Sequence, residues 1–568
     1  LGLRVASFDA LLHLAMLAIP VGLLSGGVII GFRLVVESSQ GMLLPDGAIE
    51  NYEALSWPNR LLLTSGGGLL IGLLWQYLSE SSRQVGIVHV MERLAYHQGR
   101  LPWQNALAQF VGAAASIICG HSVGREGPSV HLGATSGSLL GQWLHLPNNS
   151  NRTLAACGIA AAIAASFNTP LAGVIFSMEV VMMEYSLVSF APVILAAVTA
   201  TTLSRAVFGD APVFSIADIH LGSLLELPYV ILMGCILGCL AAFFIHLLQH
   251  TTRFSATWPV WLRCTLAGAS VGIIATFRPE VMGIGYDTVN QALLGELGLA
   301  LLLGICAAKL LATAVGLGLG LPGGLIGPTL VIGALGGGAM GIIADTWLQG
   351  DLGTPAFYAL IGMGTMMGAT LQAPLAALTA MLELTANPHI ILPGMLALIT
   401  AGLISRELFG KESVYLVLLK VRGKDYRGNP LTQALRRIGV ASVMERKFQT
   451  LQRSVDKESI MAALATEPRW ILILDNKTPL ALMPAADLAN HVAERPGGAT
   501  FQLTEIPAQR REVTAIDFQA TLEEACSVLD ASSAEALFVT RCTVPGIDRI
   551  YGVLTRRDIE QSYSVPQP

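Results

Sequence analysis

Charge is scarce in this sequence: only 13% of its 568 residues are Asp, Glu, Lys or Arg, whereas 53% are hydrophobic and the mean hydropathy is +0.60. Soluble domains carry about 25% charge, so the shortage excludes an ordinary soluble enzyme and predicts a polytopic membrane protein. Metal-site spacing is absent as well. The cysteines at 119, 157, 235, 239, 264, 306, 526 and 542 are scattered, mostly inside apolar segments, and read as small core thiols. His121, Glu126 and His131 lie five residues apart, share no helix face and form no metal-ligating helix motif, which excludes an intramembrane metallohydrolase. The glycine-rich "GLGLGLPGGLIGP" is followed by no GK[ST], so it is no P-loop and ATP-driven transport is excluded.

Long uncharged runs are abundant. Residues 153–178 and 310–344 contain no ionised side chain, and each is long enough to cross about 30 Å of hydrocarbon as a helix. Further spans or half-spans are expected near 8–36, 60–79, 104–119, 187–204, 228–249, 262–277, 297–317, 355–371 and 390–405. The chain begins at Leu1 without Met or a cleavable signal pattern, which predicts a trimmed terminus, and its first apolar segment is too long for a signal peptide. The net charge of −5 points to no partner, and nothing suggests nucleic acid. Its distribution says more: Lys420, Arg422, Lys424, Arg427, Arg436, Arg437, Arg446 and Lys447 follow the last apolar segment and place the carboxy-terminal region in the cytoplasm. Beyond residue 419 the apolar runs shorten to strand length, as in "RWILILD" and "EALFVT", and alternate with helical patterns such as "DKESIMAALA". We therefore expect a membrane domain over 1–418, a linker over 419–440 and a soluble α/β domain over 441–568.

The membrane part repeats itself. "GPSVHLGATSGSLLG" (127–141) and "GPTLVIGALGGGAMG" (327–341) share Pro128 with Pro328, Gly133 with Gly333, Gly137 with Gly337 and Gly141 with Gly341, an offset of 200. "NTPLAGVIFSMEV" (168–180) and "QAPLAALTAMLEL" (372–384) share Pro-Leu-Ala followed by Glu179 or Glu383, an offset of 204. Two motifs recurring in order predict two homologous halves, 8–208 and 228–418, of the inverted kind common in transporters. Glu179 and Glu383 hold equivalent positions, which suits a helix-end or polar-network role better than transport.

Within the repeat, "HSVGREGPSV" (121–130) and "GGLIGP" (323–328) each set a proline after glycines, so a helix should begin abruptly at Pro128 and near Pro328. Buried helix starts present free N–H groups and a positive dipole end, and both favour an anion. Glu126 beside such a start could occupy it as a tethered anion that competes with a mobile one. Ionised residues inside a membrane are expensive and mark function. Arg125 reads equally as a structural ion pair or as an electrostatic funnel.

These segments resemble the signature motifs of the CLC chloride channels and proton-coupled chloride exchangers, over essentially the whole chain. The resemblance implies an all-α membrane fold with broken helices, a homodimer in the bilayer with one pore per subunit, chloride as the transported ion and no required cofactor. It makes Glu126 of "GREGP" the gate, with Gly124, Arg125 and Gly127 beside the ion. It assigns the amides of Leu325 and Ile326, in Gly324 to Pro328, and the hydroxyl of Tyr415 as anion ligands. The family's GSGIP motif falls on "QVGIVHV", where Gly86 and Ile87 fit but Val85 replaces the ion-coordinating serine and Val88 the proline. Val180 stands at the inner proton-relay glutamate and Met91 at a second internal glutamate of the exchangers. These departures favour passive chloride conduction across a bacterial inner membrane. The alternatives are an antiporter with an atypical proton route and a fluoride exporter, since fluoride-selective relatives lose the same serine and glutamate. The tail resembles a pair of CBS modules: "GVLTRRDIEQSY" (552–563) places Asp558, and "LALMPAADLANHV" (480–492) places Asp487, where such modules contact an adenine nucleotide. Asp558 equally suits an N-terminal helix position in a purely structural module.

Overall fold

The computed structural model describes all residues except 1–10, 186, 211–213, 215–221, 348–352, 425–429, 477, 495–499, 545–546 and 564–568. Residues 8–10 of the first expected span and Arg427 of the basic run lie outside the described residues. The chain forms two compact units: Leu14–Trp143 with Asn151–Tyr426, and Leu144–Ser150 with Arg427–Pro568.

The membrane unit is helical throughout. Its first half comprises α1 (Leu11–Leu43), α2 (Trp57–Tyr77), α3 (Gly86–Tyr96), α4 (Trp103–Ile118), α5 (Glu126–Trp143), α6 (Asn148–Phe167), α7 (Pro170–Phe176) and α8 (Leu187–Phe208). The second half answers in the same order with α9 (Leu227–Phe254), α10 (Val260–Phe277), α11 (Tyr286–Leu293), α12 (Leu299–Gly318), α13 (Ile326–Trp347), α14 (Pro355–Leu371), α15 (Pro374–Thr385) and α16 (Ile391–Leu403), and then adds α17 (Val414–Val421). Among the described residues seven helices are long and apolar enough to cross a membrane.

Both uncharged runs are broken: the break in 153–178 departs from the expected crossing, whereas the one in 310–344 accords with the helix start expected near Pro328. Residues 153–178 divide into α6 and α7 around Asn168, which has φ 61°, and 310–344 divide into α12 and α13 around residues 319–325. Hydropathy registers apolar length only, and Asn-Thr-Pro and Leu-Pro-Gly-Gly end a helix without adding charge. The motif helices also start earlier than expected. Helix α5 begins at Glu126 and α13 at Ile326, so each proline is the third helical residue. The first N–H groups of a helix need no internal partner, and proline is tolerated throughout that turn.

Two cavities flank the repeat. The first, termed the outer cavity, about 430 Å³, is lined by Glu50, Arg125, Tyr286 and Asp287 among others; the second, termed the inner cavity, about 760 Å³, by Val85, Gly86, Gly127, Leu325, Tyr415 and their neighbours. Helix α2 follows the Ile49–Glu50 wall of the first cavity and ends with Trp75 and Gln76 in the second, whereas its counterpart α10 starts in the second with Val260 and Arg263. Equivalent helices thus run in opposite directions, and the halves are inverted. The two helices touch backbone to backbone: a Cβ on Gly68 would strike the Cys264 carbonyl and one on Gly268 the Thr64 carbonyl, close approach of the kind small residues permit between membrane helices.

The carboxy-terminal unit is α/β. Its main sheet runs β1 (Phe448–Gln452), β3 (Trp470–Asp475), β4 (Thr478–Pro484), β6 (Arg511–Asp517), β7 (Ala536–Val544), β8 (Ile547–Thr555), and β2 (Ser454–Asp456) pairs separately with β5 (Thr500–Gln502). The order is a duplication. In each copy two parallel strands are followed by an antiparallel one, β1 with β3 and β4, then β6 with β7 and β8, and β4 joins β6 at the centre. Helices α18 (Pro430–Arg437) and α19 (Val440–Val443) precede the sheet, α20 (Lys457–Leu464) and α21 (Ala485–Glu494) serve the first copy, and α22 (Leu522–Ala531) and α23 (Arg556–Tyr563) the second.

Candidate functional site

The inverted halves meet at their shared motif. Gly124 and Gly324, 200 residues apart, exchange two backbone hydrogen bonds, each 2.7 Å from N to O, as a single antiparallel bridge. A Cβ on Gly324 would lie 2.6 Å from the Gly127 nitrogen, so both loops need glycine to come this close. The bridge brings the starts of α5 and α13 together.

Glu126 occupies the space between them and is fully buried. Its Oε2 accepts the Gly327 N–H at 3.2 Å, in the first turn of α13, and its Oε1 accepts the Tyr286 hydroxyl at 2.5 Å. A Cβ on Gly124 would collide with Oε2. The carboxylate of the first half therefore fills the anion-favouring helix start of the second. Tyr286 did not emerge from the motifs, yet a signal was present: the 200-residue offset carries Gly86 onto Tyr286. One half's α3 begins in the inner cavity and the other's α11 begins in the outer one.

Arg125 faces the outer cavity. Its Nη2 donates to the Ser166 carbonyl at 3.2 Å, its Nη1 lies 3.9 Å from Glu37 Oε1, and its guanidinium stands 5.7 Å from the Tyr286 ring centre. Arg125 thus pairs with Glu37 and lines the outer cavity. Behind this wall the buried Lys309 donates from Nζ to the carbonyls of Val281 at 3.0 Å and Gly283 at 2.9 Å, which fixes the turn that presents Tyr286.

On the inner side Val85, Gly86, Ile87, Gly127, Leu325 and Tyr415 share one cavity wall. Val85 is the residue before α3, so the family's serine position is the helix's N-cap. Tyr415, at the start of α17, is buried and its hydroxyl has no hydrogen-bond partner among the described residues. An orphaned buried donor facing a cavity suits an anion ligand. Ile326 lines instead a small apolar pocket with Ile163, Phe167 and Phe176. Val180 and Met91 are buried in the hydrophobic core. Arg83, Arg263, Arg422 and Lys424 outnumber Glu80 and Glu92 along the cavity. The buried Glu92 pairs with Lys424 and, at 3.8 Å, with Arg422, and so ties the exit of α17 to α3.

Glu179 and Glu383 cap each other's halves. Glu179 accepts the Leu375 and Ala376 N–H groups at 3.2 and 2.6 Å, and Glu383 those of Leu171 and Ala172 at 2.9 and 2.7 Å. Each carboxylate satisfies the free amides of a helix in the other repeat, which is the helix-end role expected of them.

In the carboxy-terminal unit Asp558 Oδ2 accepts the Thr555 N–H at 2.9 Å and hydroxyl at 2.6 Å, and Arg469 stands 3.9 Å from Oδ1. Asp487 Oδ2 accepts the Gln509 N–H at 3.4 Å.

The family profile described as voltage gated chloride channel matches residues 67–406. A ClcB-like chloride channel protein of Ralstonia nicotianae is 34% identical over 410 residues, covering 70% of this chain and 95% of its own. The H(+)/Cl(−) exchange transporter ClcA of Citrobacter koseri is 28% identical, covering 73% and 89%. Among solved structures, a slow cyanobacterial Cl−/H+ antiporter aligns with TM-score 0.63 at 26% identity, over 73% of this chain and 99% of that one. A eukaryotic CLC transporter aligns with TM-score 0.63 at 17% identity over 97% and 99%, a likeness of fold that extends through the tail. With an inverted repeat, two helix starts meeting at a buried glutamate and this profile over most of the membrane unit, the chain belongs to the CLC family of anion transport proteins.

Proposed function

We propose that the chain conducts chloride passively through a pathway gated by Glu126, as a homodimer with one pathway per subunit in a bacterial inner membrane. The observation that carries the reading is the placement of the Glu126 carboxylate. It holds the start of α13 where a mobile anion would sit, gripped by Gly327 and Tyr286 between two cavities. Displacing it opens the route, and protonating it weakens its hold, since a neutral carboxyl is a poorer acceptor. Chloride then meets the Tyr415 hydroxyl and the backbone of Gly86, Ile87 and Leu325.

The passive character rests on Val180 and Met91. A coupled exchanger must carry protons to Glu126 from inside, and apolar side chains packed in the core hold none. The exchanger names of several relatives make this the point to test. In vesicles, a chloride gradient should drive no uphill proton movement, and the reversal potential should follow the chloride gradient alone under combined chloride and pH gradients. Stoichiometric proton pumping would replace this reading with an antiporter. Fluoride run in parallel decides the remaining alternative, a fluoride exporter, for which faster fluoride than chloride flux is required.

The carboxy-terminal unit is read as a cytoplasmic CBS pair that takes an adenine nucleotide. Its duplicated sheet supports the pairing. Asp558 and Asp487 are already engaged by Thr555, Arg469 and Gln509, so a ribose must displace those contacts, and equilibrium dialysis with ATP tests whether it does.

A further inference from the structure

A second polar group lies beside the inner cavity, and no motif pointed to it. His89 on α3, Gln109 on α4 and His131 on α5 are 4%, 0% and 0% exposed. The two imidazoles meet edge to face with ring centres 5.3 Å apart, and His131 Nδ1 stands 3.3 Å from Gln109 Oε1. Beyond that contact nothing is satisfied: Gln109 Nε2, His131 Nε2 and both nitrogens of His89 have no partner among the described residues. Buried groups of this kind are costly to leave unpaired, and four in one cluster indicate missing occupants.

The donor pattern says what they are. With Gln109 Oε1 placed against His131 Nδ1, the amide oxygen accepts and Nδ1 is the donor, an arrangement that leaves the Gln109 N–H bonds turned away from His131. Gln109 also lines the inner cavity with Val85 and Tyr415, whose hydroxyl is the other unpaired donor there. Two neutral donors on a wall dominated by Arg and Lys suit an acceptor, not a cation. The free nitrogens of the imidazole pair suit ordered water.

We propose that Gln109 is an anion ligand of the inner cavity, donating its amide N–H to a small monovalent anion and supplying the donor that Val85 lacks. His131 is the positioning residue that fixes the amide. The proposal rests on the chloride reading above and adds a ligand to it. It also accounts for a valine at the N-cap of α3: the donor has moved from one helix to its neighbour.

The test uses the full chain with bromide as the probe. Anomalous diffraction should place a bromide within hydrogen-bond distance of Gln109 Nε2 and a second beside Tyr415. Calorimetric titration with chloride should weaken about tenfold in Gln109→Leu, and Val85→Ser in that background should restore the loss. His131→Leu should weaken binding while His131→Gln, which keeps a donor for Oε1, rescues it; a merely structural histidine would show no such rescue. If Gln109→Leu does not fold, Gln109→Glu keeps the shape, replaces the donor by a carboxylate, and should abolish the bromide at that position. Bromide beside Tyr415 alone, or wild-type chloride affinity in the folded Gln109 variant, overturns the proposal and leaves the chloride reading standing. Absence of any halide binding by the wild type overturns both.

Discussion

The two cavities on either side of Glu126 are built from different chemistry. The outer one opposes Arg33 and Arg125 to Glu37, Glu50 and Asp287, and its Tyr286 grips the gate directly. The inner one is rich in Arg and Lys, and its unpaired donors, Tyr415 and Gln109, stand ready for an occupant. The repeat explains how one sequence pattern makes both. Inversion puts the start of α3, with Gly86, at the inner face and the start of its counterpart α11, with Tyr286, at the outer face. Divergence at one equivalent position therefore gives a bare glycine backbone on one cavity wall and a hydroxyl on Glu126 at the other. On this view the outer side sets whether the path is open and the inner side sets how tightly the anion is held.

The largest test of that division is Glu126→Gln. It keeps the volume, removes the charge and converts one acceptor into a donor facing the Gly327 N–H. Flux in vesicles should lose most of its pH dependence and the path should stay open, whereas unchanged pH dependence would remove Glu126 from the gate. Tyr286→Phe should act in the same direction with less force. It deletes one hydrogen bond to a charged group, worth about 1.5–3 kcal/mol, or roughly one to two powers of ten in the closed-to-open ratio. The chloride affinity measured by calorimetry should change little, because Tyr286 lies on the outer wall. An affinity loss as large as the gating change would erase the distinction between the two sides.

Much of this was legible in the sequence because repeats and glycine motifs are written locally. The offset of 200 residues, read from Pro128 with Pro328, carries Gly124 onto Gly324, and that pair is hydrogen-bonded across the repeat axis. Glu126 could be singled out because a carboxylate in an uncharged stretch has few neutral explanations. The chain breaks at 168–169 and 319–325 were invisible to hydropathy, since both are made without charge, and only the second was legible, from the glycines before Pro328. Tyr286 and Gln109 were missed for another reason. Each acts through a contact made by distant segments, Tyr286 on Glu126 across 160 residues and Gln109 on His131 from a neighbouring helix, and neither stands in a stretch whose composition is unusual.

The inner side is sharpened by Val85→Ser. The serine hydroxyl would face the cavity that Val85 now lines, and a hydrogen bond to an ion, set against a neutral one, predicts about one order of magnitude tighter chloride binding by titration calorimetry. Val85 is also the N-cap of α3 and makes no side-chain cap bond. A serine has a competing use there, capping its own helix at a gain of roughly 0.5–2 kcal/mol. Unchanged chloride affinity with a higher melting temperature would mean that the hydroxyl turned to the helix instead of to the ion.

The smallest expected effect lies at the outer rim. Glu50 sits in the loop after α1, outside the membrane-crossing helices, in the left-handed region at φ 60°, with the Ile284 N–H as a backbone partner. Burial first, and then the Asp287 carboxylate, push its pKa up to about 7, while Arg125 and Lys309 pull it the other way. Glu53 on the next turn is raised by the same causes, burial and then Asp287 and Glu280. A carboxyl with a pKa near 7 is charged above that pH and neutral below it, so the rim loses a negative charge as the outer solution is acidified through neutrality. Entry of anions from that side should rise accordingly. One unit charge about 10 Å from the path in a water-like medium is worth roughly 0.4 kcal/mol, which predicts about a twofold change in flux. The effect is read most cleanly in the Glu126→Gln background, where the gate's own carboxylate is removed. There, flux should still rise about twofold between outer pH 8.5 and 5.5, and Glu50→Gln should fix it at the acid level across the range. A residual rise that survives Glu50→Gln would assign it to Glu53, and a flat profile before that substitution would show that the rim carbonyls and Lys309 already screen the charge.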